Sequence, residues 1–288
     1  MQSIFQIGDA HSVTSDQERG SHNSQIYQQS GNNNSVSLRQ YNTTESSTGS
    51  NSTIWQVGEF NNVNSTQKDG SHISTVHQTN SSFNNAELSQ SNDLLSEDEY
   101  SSLSLYQTGS NNNSSIDQEN GNHSANVSQY KENNSVRLRQ INFNLSPTSI
   151  SALISQKGDF NNANVYQLNG SHSLALHQFD GDYNSVTANQ IDENGSTRGA
   201  EASIEQRGSQ NAITLNQHYG SHEAILQQRG SSNFAEVTQL DALSGDGSIS
   251  TITQEGNGNF AETHQVGAAN KSEITQNGSG NSAVVKQR

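Results

Sequence analysis

The sequence predicts an all-β fold, a β-solenoid of about 12 two-stranded coils in which 24 short strands make two facing sheets with uncapped ends. Three observations carry this prediction: a glutamine that returns at near-constant spacing, an apolar pattern of period two behind each glutamine, and glycine-rich turns between the patterned stretches. The glutamines are Gln6, Gln17, Gln28 and Gln40; Gln56, Gln67, Gln78 and Gln90; Gln107, Gln118, Gln129 and Gln140; Gln156, Gln167, Gln178 and Gln190; Gln206, Gln217, Gln228 and Gln239; and Gln254, Gln265, Gln276 and Gln287. Within a group of four the step is 11 or 12 residues, and between groups it is 15 to 17.

The strand assignment follows from offsets of two. Two residues before a glutamine stands an aliphatic side chain, as at Ile54, Val76 and Leu88, and four before it a small or aliphatic one, as at Val63, Ser74 and Ala86. Six before it stands Asn or His, as at Asn61, His72 and Asn84. Successive side chains of a strand point to opposite faces, so these residues share one face with the glutamine and the intervening polar residues share the other. A helix is excluded, because apolar residues recur at two rather than at three and four, and Asn, Ser and Gly fill the gaps. An 11-residue step accommodates a strand of five or six residues and a tight turn.

The turns follow in order. After the first glutamine of each group a glycine lies two residues on (Gly8, Gly58, Gly109, Gly158, Gly208, Gly256), where the absence of a Cβ lets the chain leave the strand sharply. After the second, Gly-Ser-His or Gly-Asn-His places His22, His72, His123, His172 and His222. After the fourth, the turn lengthens into polar or acidic inserts such as Ser96-Glu97-Asp98-Glu99, and one holds the only proline, Pro147. The result is one continuous solenoid over residues 1–288, in six super-repeats of approximately 1–50, 51–101, 102–150, 151–200, 201–248 and 249–288.

Composition sets the limits. Leu, Ile, Val and Phe number 53 of 288 residues and the net charge is −15, values typical of a disordered polymer were the apolar residues not gathered on one face. A strand of this kind cannot bury its face alone, whereas stacked copies can. There is no cysteine, hence no disulfide or thiolate site. No apolar run approaches a membrane span, and an acidic chain poor in Lys and Arg is unsuited to nucleic acid. The first residues, Met1-Gln-Ser-Ile-Phe-Gln6, already follow the repeat and do not themselves read as a secretory signal, and removal of one ahead of them is the alternative. No catalytic constellation, cofactor motif or metal-ligand spacing stands out, so the sequence reads as a non-enzyme.

The recurring Gln-x-Gly-x-x-Asn-x-Ala-x-x-x-Gln, as in Gln156-Lys-Gly158-Asp-Phe-Asn161-Asn-Ala163-Asn-Val-Tyr-Gln167, resembles the repeat of the curlin family, the subunits of curli-type functional amyloid. The resemblance implies inward Gln and Asn ladders, self-assembly into extracellular cell-surface fibres, and three partners: a nucleator subunit, a periplasmic chaperone and an outer-membrane export channel. The leading reading is a secreted structural subunit that assembles head to tail for biofilm matrix and adhesion. A nucleating minor subunit, suggested by Lys271, Lys286 and Arg288, and a monomeric adhesin or ice-binding solenoid are the alternatives. The five corner histidines are expected to fill space beside coils whose insert has displaced the usual Asn. A pH-sensitive contact or a metal site would be the other uses of those rings. The outward aromatics Tyr27, Trp55, Tyr106 and Tyr166 read as surface strand residues, with sugar or dye binding as the alternative.

Overall fold

The computed structural model describes residues 1–43, 49–92, 100–143, 149–193, 199–241 and 246–288; the longer inserts, with Ser96-Glu97-Asp98-Glu99 and Pro147, lie largely outside the described residues. The chain divides into two compact units, Met1–Ile141 and Asn142–Arg288. In the first unit, β1 (Gln2–Asp9), β3 (Asn23–Asn32), β5 (Asn51–Glu59), β7 (Ile73–Ser82), β9 (Ser102–Ser110) and β11 (Asn122–Tyr130) pair in that order in one parallel sheet. A second sheet takes β2 (Ser12–Glu18), β4 (Ser35–Tyr41), β6 (Asn62–Lys68), β8 (Asn85–Ser91), β10 (Asn113–Glu119) and β12 (Ser135–Ile141). The second unit repeats the plan. Its odd sheet holds β13 (Ser149–Lys157), β15 (Ser173–Phe179), β17 (Glu201–Arg207), β19 (Glu223–Arg229), β21 (Ile249–Glu255) and β23 (Lys271–Asn277). Its even sheet holds β14 (Asn162–Leu168), β16 (Ser185–Ile191), β18 (Ala212–His218), β20 (Phe234–Leu240), β22 (Phe260–Val266) and β24 (Ser282–Gln287).

Each unit is therefore a β-solenoid in which a strand of one sheet is the crossover between two parallel neighbours of the other. Most strands run seven residues, longer than the five or six expected from the repeat step, because pairing continues past the glutamine: Lys68 pairs with Ser91 after Gln67 with Gln90. Every pairing puts glutamine beside glutamine, as Gln28 beside Gln56 and Gln217 beside Gln239. Register is fixed by the buried face, since a slip of one residue would turn every apolar side chain to water. Between the sheets lie Ile26, Ile54, Val76, Leu105 and Val127 from the odd strands and Leu38, Val63, Leu88, Ile116 and Leu138 from the even ones, all buried. Each contributes on the order of 1.5–3 kcal/mol.

The turns rest on glycine where backbones of successive coils touch. Gly8, Gly58, Gly109, Gly158, Gly208 and Gly256 all have φ between +95° and +153°. At Gly58, with φ +126°, a Cβ would drive into the Ser81 carbonyl of the next coil. Gly58→Ala is expected to lower stability by on the order of 3 kcal/mol, read as a shift in urea midpoint, because no flexible side chain can give way. Among the described residues no helix is long and apolar enough to cross a membrane.

Candidate functional site

Strand alternation sends each ladder glutamine inward, and the 22- to 29-residue return of the chain sets it against its counterpart in the next coil. In the first unit Gln6, Gln28, Gln56, Gln78, Gln107 and Gln129 form one file, each Nε2 donating to the following Oε1 at 2.7–2.9 Å. Gln17, Gln40, Gln67, Gln90, Gln118 and Gln140 form the second, over the same distances. In the second unit Gln156, Gln178, Gln206, Gln228, Gln254 and Gln276 are linked at 2.9 Å. Gln167, Gln190, Gln217, Gln239, Gln265 and Gln287 are linked at 2.7–3.0 Å.

The second amide hydrogen crosses to the opposite sheet. Gln56 donates to the Ser35 carbonyl at 3.1 Å, Gln78 to Asn62 at 3.2 Å and Gln67 to Asn51 at 3.3 Å. A carbonyl can only accept, so this contact fixes which end of each amide is nitrogen, and every ladder bond runs in one direction. Aligned amides polarise one another, and an interior ladder amide such as Gln56 or Gln78 is satisfied at both its nitrogen and its oxygen.

A second file of polar side chains closes the coil six residues before the glutamine. At the even-strand corner, Asn34 accepts from the Asn61 backbone N–H at 3.0 Å, Asn61 from Asn84 at 3.2 Å and Asn84 from Asn112 at 2.8 Å. The side-chain nitrogen then donates to a turn carbonyl, as Asn34 does to Gly58 at 2.7 Å. Asn161, Asn184, Asn211 and Asn233 repeat this in the second unit.

The odd-strand corner uses histidine for the same two bonds. Nδ1 of His22, His72, His172 and His222 accepts from the backbone N–H of Ser50, Ser101, Ala200 and Ser248 at 3.1, 3.4, 3.0 and 3.0 Å. Nε2 of the same rings faces carbonyls three or four residues back: Arg19 and Glu18, Asp69 and Lys68, Leu168, and His218. An N–H at Nδ1 and carbonyls at Nε2 require the neutral ring protonated at Nε2. His123 makes the carbonyl contacts to Glu119 and Asn120 at 3.0 and 2.7 Å, while its Nδ1 has no partner among the described residues. All five rings are buried. Burial holds His72, His123 and His222 below the ordinary imidazole value, against the opposing pull of the carbonyl contacts, and lowers His172 to about 4.

Ser50, Ser101, Ala200 and Ser248 are small residues that re-enter a coil after an insert. Ser50 and Ser101 also donate from Oγ to the carbonyls of Gly70 and Gly121 at 3.3 and 3.1 Å. Sequence reasoning did not single out these partners, nor Gly49, Gly199 and Gly247 just before three of them, whose Cβ would enter the carbonyls of Ser21, Ser171 and Ser221. A Gly-Ser or Gly-Ala pair closing each of those inserts was the available signal.

The ladder amides bond from coil to coil, and His22, His72, His172 and His222 join the turn behind them to the residue that resumes the next coil. A comparison with curated proteins gave no match. The family model described as "Curlin associated repeat" matches residues 223–256 and 256–288, which span β19 to β24. The Gln, Asn and Gly spacing of those matched residues also runs through the rest of both units, so each β-solenoid unit carries the pattern that the curlin-repeat model matches over residues 223–288.

Proposed function

We propose that this chain is secreted and that its copies stack end to end into extracellular fibres of the amyloid type, which reinforce a biofilm matrix and attach cells to it. The direction of the ladders carries this reading. Gln6 and Gln17 donate to Gln28 and Gln40, while among the described residues nothing donates to their Oε1. Gln276 and Gln287 accept from Gln254 and Gln265 and spend one N–H on the carbonyls of Phe260 and Lys271, leaving the other N–H of each without an acceptor among the described residues. Every ladder therefore runs one way, each coil offering an amide N–H on one edge and an amide oxygen on the other, which is the polarity that a stacked copy would continue. An incoming copy meets the edge that each coil already offers its neighbour, and a repeated heterologous contact that does not close builds a filament. A nucleating subunit, a periplasmic chaperone and an outer-membrane channel complete the route to the cell surface in this reading.

Purified chain should form concentration-dependent, seedable fibres with a meridional spacing of about 4.7–4.8 Å. The double variant Gln6→Lys/Gln17→Lys sets ammonium groups where the free acceptors stand. It should retain the strand signature in circular dichroism yet fail to add to seeds at that end. A chain that stays monomeric with or without seeds defeats the proposal.

A further inference from the structure

The outer face of the odd sheet in the first unit carries a file of rings that no ladder or corner uses. Strand register aligns Phe5 with Tyr27, Tyr27 with Trp55, Trp55 with His77 and His77 with Tyr106. Consecutive ring centroids are 6.2, 5.3, 6.2 and 6.5 Å apart, and Tyr130 extends the file at 5.6 Å from Tyr106. Phe5 and Trp55 are 47% and 37% exposed, and the other rings are half-buried. Five strands therefore hold a ring at one register position, with Tyr27, Trp55 and His77 stacked at 29° and 17° between planes, and Tyr130, two residues past the aligned Ser128, continues the file on the sixth strand.

Two further features define what such a track can hold. Two residues upstream, the register places Gln25, Thr53, Thr75 and Ser104 in a parallel file. Their side-chain groups face solvent and have no hydrogen-bond partner among the described residues. From five residues before each ladder glutamine to one after it, no outward side chain of this sheet is Asp, Glu, Lys or Arg. The even sheet of the same unit is charged at the corresponding positions, with Asp16, Arg39, Lys68, Glu87, Asp117 and Arg139. A chain of net charge −15 has kept one flat face neutral.

We propose that this face binds an extended, uncharged polysaccharide, laid across the strands with its sugar rings on the aromatic track and its hydroxyls on the Thr, Ser and Gln file. Rings and hydroxyl-bearing side chains repeat at the strand spacing of ~4.8 Å, so an extended chain laid across the strands meets both files along its length. Stacking supplies affinity and the hydroxyl file supplies orientation. Charge separates this ligand from its rivals. Nucleobases would also stack, but their phosphates meet a strongly acidic chain with no cation on this face. A polycation finds no carboxylate there, and an acidic polysaccharide no ammonium or guanidinium. The proposal holds for a single chain and does not depend on fibre assembly.

Trp55 is the only tryptophan, so its fluorescence reports on the centre of the track. Titration of freshly purified chain with soluble, neutral β-1,4-linked gluco-oligosaccharides should shift and saturate the Trp55 emission. The response should be unchanged between low and high salt. An anionic oligosaccharide of the same length should give no response. In sedimentation with insoluble neutral glucan, Tyr27→Ala/Trp55→Ala should bind about tenfold more weakly than the unaltered chain, and Asp117→Ala on the other sheet should bind equally well. Two outcomes overturn the proposal: equal binding by the double variant, or a Trp55 signal that follows protein concentration and ignores the glycan, which would make the face a contact between copies. Should the double variant fail to fold, the salt-independent oligosaccharide titration of the unaltered chain decides alone.

Discussion

Replacing Gln78 by glutamate should lower the stability of the folded chain by about 3–5 kcal/mol at neutral pH, and a large part of the loss should be recovered on acidification. The shape of the side chain is conserved, so packing is not the cause. Gln78 is buried, donates to Gln107 at 2.9 Å and to the Asn62 carbonyl at 3.2 Å, and accepts from Gln56 at 2.9 Å. A carboxylate keeps the last of these bonds and turns the other two into oxygen facing oxygen. Burial raises its folded-state pKa above the unfolded value of about 4.3. The penalty is therefore complete above the folded pKa and shrinks as pH falls through it, since the protonated carboxyl regains one donor. Gln78→Leu should cost about 2–4 kcal/mol with no added pH dependence, because it strands the Gln56 donor and the Gln107 acceptor without introducing a charge. Urea midpoints at several pH values separate the three proteins. A glutamate variant as stable as the unaltered chain at neutral pH would mean that the amide does not lie between its neighbours.

The unaltered chain should show the opposite slope. His172 has a folded pKa of about 4 against 6.5 unfolded, a depressed value, so its contribution is complete above 6.5 and is lost as pH falls from there to about 4. The gap amounts to roughly 3 kcal/mol. The cause is burial of the ring, which disfavours the charged form and outweighs the Leu168 carbonyl contact and the Asp192 carboxylate that favour it; a second proton, on Nδ1, would also point at the Ala200 N–H 3.0 Å away. His72, His123 and His222 shift in the same direction and add to the slope. In His172→Asn an amide offers the same acceptor and donor without titrating, as Asn does at the even-strand corner. That variant should be less stable at neutral pH, where the larger ring fills the space better, but its acid slope should be shallower. An unchanged slope would remove His172 from the account.

The period-two pattern made the fold legible: offsets behind Gln56, Gln67, Gln78 and Gln90 identify strands, inward faces and the sheet to which each belongs. What stayed hidden depends on contacts between residues far apart in sequence. Tyr27, Trp55 and Tyr106 read separately as outward aromatics, but the track they form with Phe5 and His77 exists only through pairings 22 to 29 residues apart, offsets that the inserts vary. The bonding of the corner histidines depends on a backbone N–H 26 to 29 residues later. Turn geometry was masked for another reason. Phe60, Phe83, Phe160 and Tyr183 hold φ between +54° and +60°, a conformation bulky residues seldom advertise. They stack in pairs at 4.9 and 4.8 Å, so a ring contact offsets local strain.

The corner histidines also mark where the chain tolerates foreign sequence. The N–H that His22, His72, His172 and His222 capture belongs to the residue that resumes the coil, so the ring works as a clasp that gathers the polypeptide back in whatever it has traversed since the preceding strand. Loop closure grows costlier only slowly with length. Epitopes, binding peptides or small enzymes grafted between Asn42 and Gly49, or between Asp192 and Gly199, would leave the strand register unaltered, making each such corner a socket for decorating the protein at fixed intervals.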